Sequence, residues 1–148
     1  MNFNWTQLFS DCSPGWTYHF QNNYTPNIAR CYKHFPEEKT WTDARSFCLS
    51  VGQTNGDLAS IPDHTTNEFL TTLSTKISYI GASDLNLKGT WIWTDGTPWN
   101  FEKWAPGQPD NNNGPQNFVT INYHGVGLWD DDTETYPRPF FCQYDLGK

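Results

Sequence analysis

Between Asp95 and Asn117 the chain carries four Pro, three Gly and five Asn. Turn formers at that density interrupt both helix and strand. An irregular stretch of this length inside a compact domain is too long for a mere connector and points to a functional loop. The chain has 148 residues and a mass of 17.1 kDa, enough for one domain, so the loop and the core that holds it belong to one fold.

Leu, Ile, Val and Phe together are scarce enough, beside a net charge of −7, to raise the question of disorder. Eight Trp and seven Tyr answer it, because each buried ring removes roughly 150–250 Å² from water. Only nine Lys and Arg and a pI near 4.8 leave no basic patch for phosphates, so nucleic acid and anionic membrane are excluded as partners and a cation is favoured. Mean hydropathy is −0.73 and no run approaches the ~18–20 apolar residues of a spanning helix, so no membrane insertion is expected.

The start, Met1-Asn2-Phe3-Asn4-Trp5, lacks the basic and apolar regions of a secretory signal and reads as a mature chain given an initiator Met. Four cysteines at 12, 31, 48 and 142, with no CxxC pair, suit two disulfides in an oxidising compartment, and hence a secreted protein. The sequons Asn4-Trp5-Thr6 and Asn23-Tyr24-Thr25 agree with that.

Residues 1–11 lack periodicity and read as an arm, leaving 12–148 as the folded domain. From Cys12 to Tyr32, aromatic and polar residues alternate around Ser13-Pro14-Gly15 and Gln21-Asn22-Asn23. This predicts a hairpin that a Cys12–Cys31 bridge would close, one of three connectivities open to four cysteines. Trp41, Ala44, Phe47 and Cys48 share one helical face behind a Thr40 cap, with Gly52 as the stop. A second helix is predicted from about Thr66 to Lys76, burying Phe69, Leu70 and Leu73 behind the cap region Asp63-His64-Thr65. Leu58–Ile61, Tyr79–Ala82, Thr90–Thr94, Phe118–Tyr123, Gly127–Trp129 and Phe140–Tyr144 read as strands, mainly antiparallel, so the class is α+β.

Oxygen-bearing side chains gather in two places. Gln108, Asp110 and Gln116 lie in the long loop, and Asp130, Asp131 and Asp132 follow the strand that ends in Trp129. Carboxylates and amides from two segments suit a hard cation, and calcium, which takes six to eight oxygens at about 2.3–2.6 Å, fits better than magnesium. Pro109 admits a cis bond that would turn Gln108 and Asp110 toward one point.

The helix Trp41 to Cys48, Tyr79-Ile80-Gly81, the triplet Gln108-Pro109-Asp110, Trp129-Asp130-Asp131 and Phe141-Cys142-Gln143-Tyr144, in this order and spacing over residues 12–146, resemble a C-type lectin domain. The resemblance implies a double-loop α+β fold with two helices flanking mainly antiparallel sheets. It also implies a Cys48–Cys142 bridge and the long form whose extra hairpin carries Cys12–Cys31. It implies one calcium held by Gln108, Asp110, Gln116, Asp130 and Asp131, the last through side chain and backbone carbonyl, with two neighbouring sugar hydroxyls coordinated by the same ion. Gln116 stands where the family usually has Glu, and Asp130 where it has Asn. One carboxylate is lost and one gained, so Asp110, Asp130 and Asp131 keep three negative charges, as in ordinary members, which favours a working site.

The exchange alters the hydrogen-bond code, because a carboxylate only accepts while an amide NH₂ donates. Relative to mannose-type members with Glu-Pro-Asn, donor and acceptor are swapped in the pair Gln108 and Asp110 and again in Gln116 and Asp130. In this family Gln-Pro-Asp is associated with galactose and N-acetylgalactosamine, which ranks galactose-type glycans first. Mannose-type glycans come second, since a double swap restores their relative pattern. Galactose binders tend to place a ring just after the triplet, where Asn111-Asn112-Asn113-Gly114 stand here. Trp99, Trp104, Tyr123 and His124 are the candidate stacking rings, and the sugar-contacting set is Gln108, Asp110, Gln116 and Asp130 with Trp104, Tyr123 and His124.

A second calcium of some members would use Asp84, but Lys88 occupies its Glu position and Asn111 and Asn117 replace acids, so that site is expected to be lost. Phe118 stands at one position of the family's inner loop disulfide, so the loop is expected to depend more on calcium for its order. Other readings fit less well. Asp110-Asn111-Asn112-Asn113-Gly114 lacks the EF-hand spacing, with Ile121 at its twelfth place. The four His are scattered without a zinc motif. Acids converging on one ion are held ionised, against the need of a glycosidase's general acid, so no enzyme is expected. An acidic run at 130–132 with no ion would be a solvated turn. The competing class is a domain of this family that binds a protein or another surface without sugar. With no heptad neck and no spare Cys, any homo-oligomer is non-covalent.

Overall fold

The computed structural model describes residues 12–21, 28–53, 55–111 and 114–146; the expected arm 1–11 and the sequons at Asn4 and Asn23 lie outside the described residues. Strands β1 (Thr17–Gln21) and β2 (Ile28–Lys39) form the antiparallel hairpin that the alternation predicts, with Thr17 opposite Tyr32 and Gln21 opposite Ile28. The Cys12–Cys31 disulfide ties its open end.

Helix α1 (Trp41–Val51) starts where Thr40 Oγ1 accepts from the Asp43 N–H and stops where the Gly52 N–H donates to the Cys48 carbonyl. It buries Trp41, Ala44 and Cys48, and Cys48 is bonded to Cys142. Strand β3 (Asp57–Leu58) is shorter than the segment expected, although the chain keeps its line, with the Ala59 N–H donating to the Phe141 carbonyl at 2.9 Å.

Helix α2 (His64–Leu73) begins two residues before the expected start and ends three before the expected end. Asp63 is the cap, its Oδ1 accepting from the Thr66 N–H at 2.7 Å, which pulls His64 and Thr65 into the first turn. At the other end Ser74 turns to extended backbone, and the carbonyls of Ser74 and Lys76 go to Asn122 Nδ2 rather than to a further helical turn.

The remaining strands are β4 (Ser78–Ser83), β5 (Ile92–Trp93), β6 (Phe118–Ile121), β7 (Trp129–Asp132) and β8 (Arg138–Asp145). They join the hairpin in the order β1-β2-β8-β4-β6-β7, with β3 on β8 and β5 on β4. All pairings are antiparallel except β4 with β8, which meet in parallel at Tyr79 and Phe140. The α+β class and the two flanking helices agree with the sequence expectation. The last strands differ in detail. Gly127 adopts a left-handed φ of +81° in a turn that the Leu128 N–H closes onto the Gly125 carbonyl, so the expected strand 127–129 begins only at its end. The acidic run is therefore a strand rather than a turn, with Asp130 opposite Thr120 and Asp131 opposite Val119.

Two apolar clusters fill the fold. Trp41, Leu58, Tyr79, Phe118 and Phe140 surround the Cys48–Cys142 bridge. Ile61, Leu70, Ile80, Trp93, Trp129 and Phe141 form the other cluster, against which Trp99, Phe101 and Trp104 of the long loop pack. Gly81 allows the close approach between β4 and the chain after β3, since a Cβ there would stand 2.8 Å from the Leu58 carbonyl oxygen. Among the described residues no helix is long and apolar enough to cross a membrane.

Candidate functional site

The site is built outward from Trp129, the first residue of β7. Its ring is wholly buried, and its Nε1 donates to Asn67 Oδ1 of α2 at 2.8 Å. The other edge of its backbone is covered by the long loop: the Trp129 N–H donates to the Lys103 carbonyl, and the Ala105 N–H donates to the Trp129 carbonyl, both at 2.8 Å. The Gln108 N–H then donates to the Ala105 carbonyl at 2.9 Å, closing a turn that delivers Gln108 beside the residues following Trp129. The Gln108–Pro109 bond is cis.

In this arrangement carboxylate oxygens of Asp110, Asp130 and Asp131 all lie within 4.8 Å of one another, the two strand acids buried and the loop acid exposed. Asp131 accepts from the backbone N–H of Asp110 at 3.0 Å and of Asn111 at 2.7 Å. Gln108 Nε2 donates to Asp110 Oδ2 at 3.2 Å, while Gln108 Oε1 is buried with no hydrogen-bond partner. The third acid of the run is turned to a separate use: Asp132 Oδ2 accepts from Arg138 Nε at 2.6 Å.

Like charges held this close repel. Burial pushes the Asp130 carboxyl up to about 6, with Asp131, Asp110 and Asp132 adding to the rise and His124 opposing it. His124 Nε2 lies 3.3 Å from Asp130 Oδ2 and 3.5 Å from Gln108 Nε2. A divalent cation would relieve the repulsion and give Gln108 Oε1 a partner, so the donor set fits an oxygen-seeking ion such as calcium.

The other residues singled out in the sequence fall in different places. Gln116 is tied in through its backbone, its N–H donating to Asn111 Oδ1 at 2.9 Å and its carbonyl accepting from Lys88 Nζ at 3.0 Å. Trp104 packs on Trp91 and Trp129, and Trp99 on Trp93 and Trp129, so both rings support the loop from the core side. His124 is the ring that borders Gln108 and Asp130, and Tyr123, 45% exposed, lies against it and under the Arg138 guanidinium.

Two supports were not singled out in the sequence. Asn67 is buried in α2 and also donates to the Gly127 carbonyl at 2.9 Å, spanning the start of β7. Its signal was present, since it precedes Leu70 by three residues on the helix's apolar face, where a polar side chain needs a reason. The loop's beginning is fixed by Arg30, which is 3% exposed: it pairs with Asp145 at 2.6 Å and Asp95 at 3.4 Å, and Gln143 Nε2 and Ser60 Oγ also donate to Asp95 Oδ2. Nothing in the local pattern joins residues this far apart in the chain.

A family model, the Lectin C-type domain, matches residues 37–144. A lectin of Pleurodeles waltl is 35% identical over 140 residues, covering 90% of this chain and 76% of that protein. The galactose-specific lectin nattectin of Thalassophryne nattereri is 30% identical over 143 residues, covering 93% of this chain and 82% of that protein. Among solved structures, the cow C-type carbohydrate-recognition domain of CD23, determined in the presence of a GlcNAc2Man3 oligosaccharide, aligns with a TM-score of 0.78 at 27% identity, covering 93% of this chain and 98% of that one. With a family match over most of its length and relatives at this identity, the chain belongs to the C-type lectin domain family.

Proposed function

We propose that this domain binds carbohydrate through one calcium ion held by Gln108, Asp110, Gln116, Asp130 and Asp131. The observation that carries this reading is the convergence of Asp110, Asp130 and Asp131 beside the buried, unpartnered Gln108 Oε1. A protein that keeps three carboxylates together against their mutual repulsion, and an amide oxygen out of water without a partner, is arranged for a cation. When bound, calcium supplies coordination positions open to two vicinal hydroxyls of a sugar.

The chain's own groups orient that diol. The Gln108 amide donates and the Asp110 carboxylate accepts, on one side; Gln116 and Asp130 offer the same two roles on the other. Galactose- and N-acetylgalactosamine-type glycans are the first choice, supported by the Gln108-Pro109-Asp110 triplet and by similarity to a galactose-specific relative. Mannose-type glycans are the second, because both pairs are exchanged. His124, beside Gln108 and Asp130, and Tyr123, packed against His124, supply exposed rings for the sugar's apolar face.

Hydrolysis is not proposed. The acid oxygens lie within 4.8 Å of one another, closer than the roughly 5–9.5 Å that separates a glycosidase's carboxyl pair. Two disulfides suit an extracellular setting. Single-site affinity should be weak, with avidity arising from several non-covalently associated sites.

Titration calorimetry with calcium, followed by a glycan array in calcium and in chelator, tests the reading. Galactose-type spots that disappear in chelator support it. Calcium binding with a blank array would move the protein to the class that recognises a protein surface without sugar, and no calcium binding would end the proposal.

A further inference from the structure

The turn after β4 carries a cation that belongs to the chain. The Asp84 side chain is wholly out of solvent, and its Oδ2 accepts from the Gly89 N–H at 2.9 Å and pairs with Lys88 Nζ at 3.2 Å. A buried carboxylate needs a countercharge, and Lys88 supplies it from a half-exposed position. The same ammonium donates to the Gln116 carbonyl at 3.0 Å and stands 5.9 Å from the centre of the Trp91 ring, which also packs on Trp104 of the long loop. The Asp84 N–H donates to the Asn117 carbonyl at 3.1 Å, so two successive carbonyls at the end of the loop are bound to one short turn.

We propose that Lys88 is a positioning residue of the ion site: its ammonium is a tethered cation that pins the Gln116 end of the loop to the end of β4 whether or not an ion is bound. The link to ion affinity rests on Gln116 being a ligand; the pinning itself does not. The loop thus has two differently held arms. The Gln116 arm is fastened by Lys88 and Asp84. The Gln108 arm is fastened by Asp131, which is itself one of the acids facing the ion. Removing calcium should loosen the second arm and leave the first in place.

Hydrogen exchange and calcium calorimetry on the full chain, for wild type and for Lys88→Arg, Lys88→Met and the double variant Lys88→Met/Asp84→Asn, test this. In chelator, Lys88→Met should speed exchange at 116–118 by about tenfold while β8 is unchanged, and in calcium its Kd should rise by about tenfold. Lys88→Arg should stay within about twofold of wild type, since it keeps the charge. The double variant removes the buried charge with its partner. It should regain wild-type thermal stability yet retain the fast exchange and weak affinity, which a merely structural ion pair would not do. Wild-type exchange at 116–118 in both Lys88→Met proteins would overturn the proposal. A wild type that binds no calcium would end the calcium reading alone, leaving the exchange comparison to decide the role of Lys88.

Discussion

Asp131 grips Asp110 by its backbone: the Asp110 N–H donates to Asp131 Oδ1 at 3.0 Å, and the next N–H, of Asn111, donates to Oδ2 at 2.7 Å. Both oxygens of a fully buried carboxylate are thereby aligned toward the loop while the side chain of Asp110 stays exposed beside Gln108. A β7 side chain thus sets the distance between the two stretches of chain from which the proposed ligands come.

Asp131→Asn keeps the volume and removes the charge, and its NH₂ would face a backbone donor where an acceptor is required. Losing one such charged hydrogen bond should cost about 1.5–3 kcal/mol of stability. Calcium affinity should fall by more than about 100-fold, beyond the loss expected for a residue that only supports a ligand. Calorimetry returning wild-type calcium affinity would refute the ligand assignment.

Asn67→Ala tests the other side of the same strand. The change leaves Trp129 Nε1 and the Gly127 carbonyl buried without partners, at a combined cost of about 2–4 kcal/mol. Urea unfolding measures it, and a loss below 0.5 kcal/mol, a surface-substitution value, would show that water replaces the amide at no cost.

How much of this was readable beforehand depends on how far each interaction reaches along the chain. The caps of α1 are local chemistry, a Thr40 hydroxyl on an N–H three residues on and a Gly at the stop, and the structure places both where the sequence does. The α2 start shifted because the expected cap region spanned Asp63-His64-Thr65 without choosing among them, and Asp63, whose Oδ1 meets the Thr66 N–H, took the cap and left His64 and Thr65 to the first turn. Strand β7 runs through the acids rather than ending at Trp129, because burying three acids in a row requires Arg138, His124 and the N–H groups of the loop, none adjacent in sequence. Lys88 was legible as the wrong residue type for a second ion, but not as a partner of the Gln116 carbonyl, which depends on how the loop returns.

Stability should fall in acid through His34. Burial holds its imidazole down to about 4, with Lys76 adding to the effect and Glu37 opposing it, while Nε2 lies 2.9 Å from Ser78 Oγ. The unfolded chain takes up the proton near pH 6.5, so the contribution is complete above that value and is lost as the pH falls from 6.5 toward 4. One proton sets a ceiling of about 1.4 kcal/mol per pH unit on the slope, and solvent around the partly exposed ring brings it below that. Chemical unfolding of His34→Gln across this range should show a shallower slope than wild type, and an identical slope would remove His34 from the account.

Asp130 has the opposite sign. Burial, then its neighbours Asp131, Asp110 and Asp132, raise the carboxyl from its ordinary value of about 4 to about 6 against the pull of His124. Without an ion, the folded state holds this proton more tightly than the unfolded chain. Its contribution is therefore present below pH 4 and is lost as the pH rises through 6. With calcium held as proposed the preference should reverse, because the ionised carboxylate is the form that binds metal. Two measurements follow from one residue. In chelator at pH 7, Asp130→Asn should melt above wild type, since it removes a repelled buried charge. In calcium at pH 7 it should bind the ion more weakly, and its affinity should change less between pH 7 and 5 than that of wild type. A variant that melted below wild type in chelator and kept the wild-type pH profile in calcium would show that Asp130 is stabilised by His124 alone and takes no part in holding the ion.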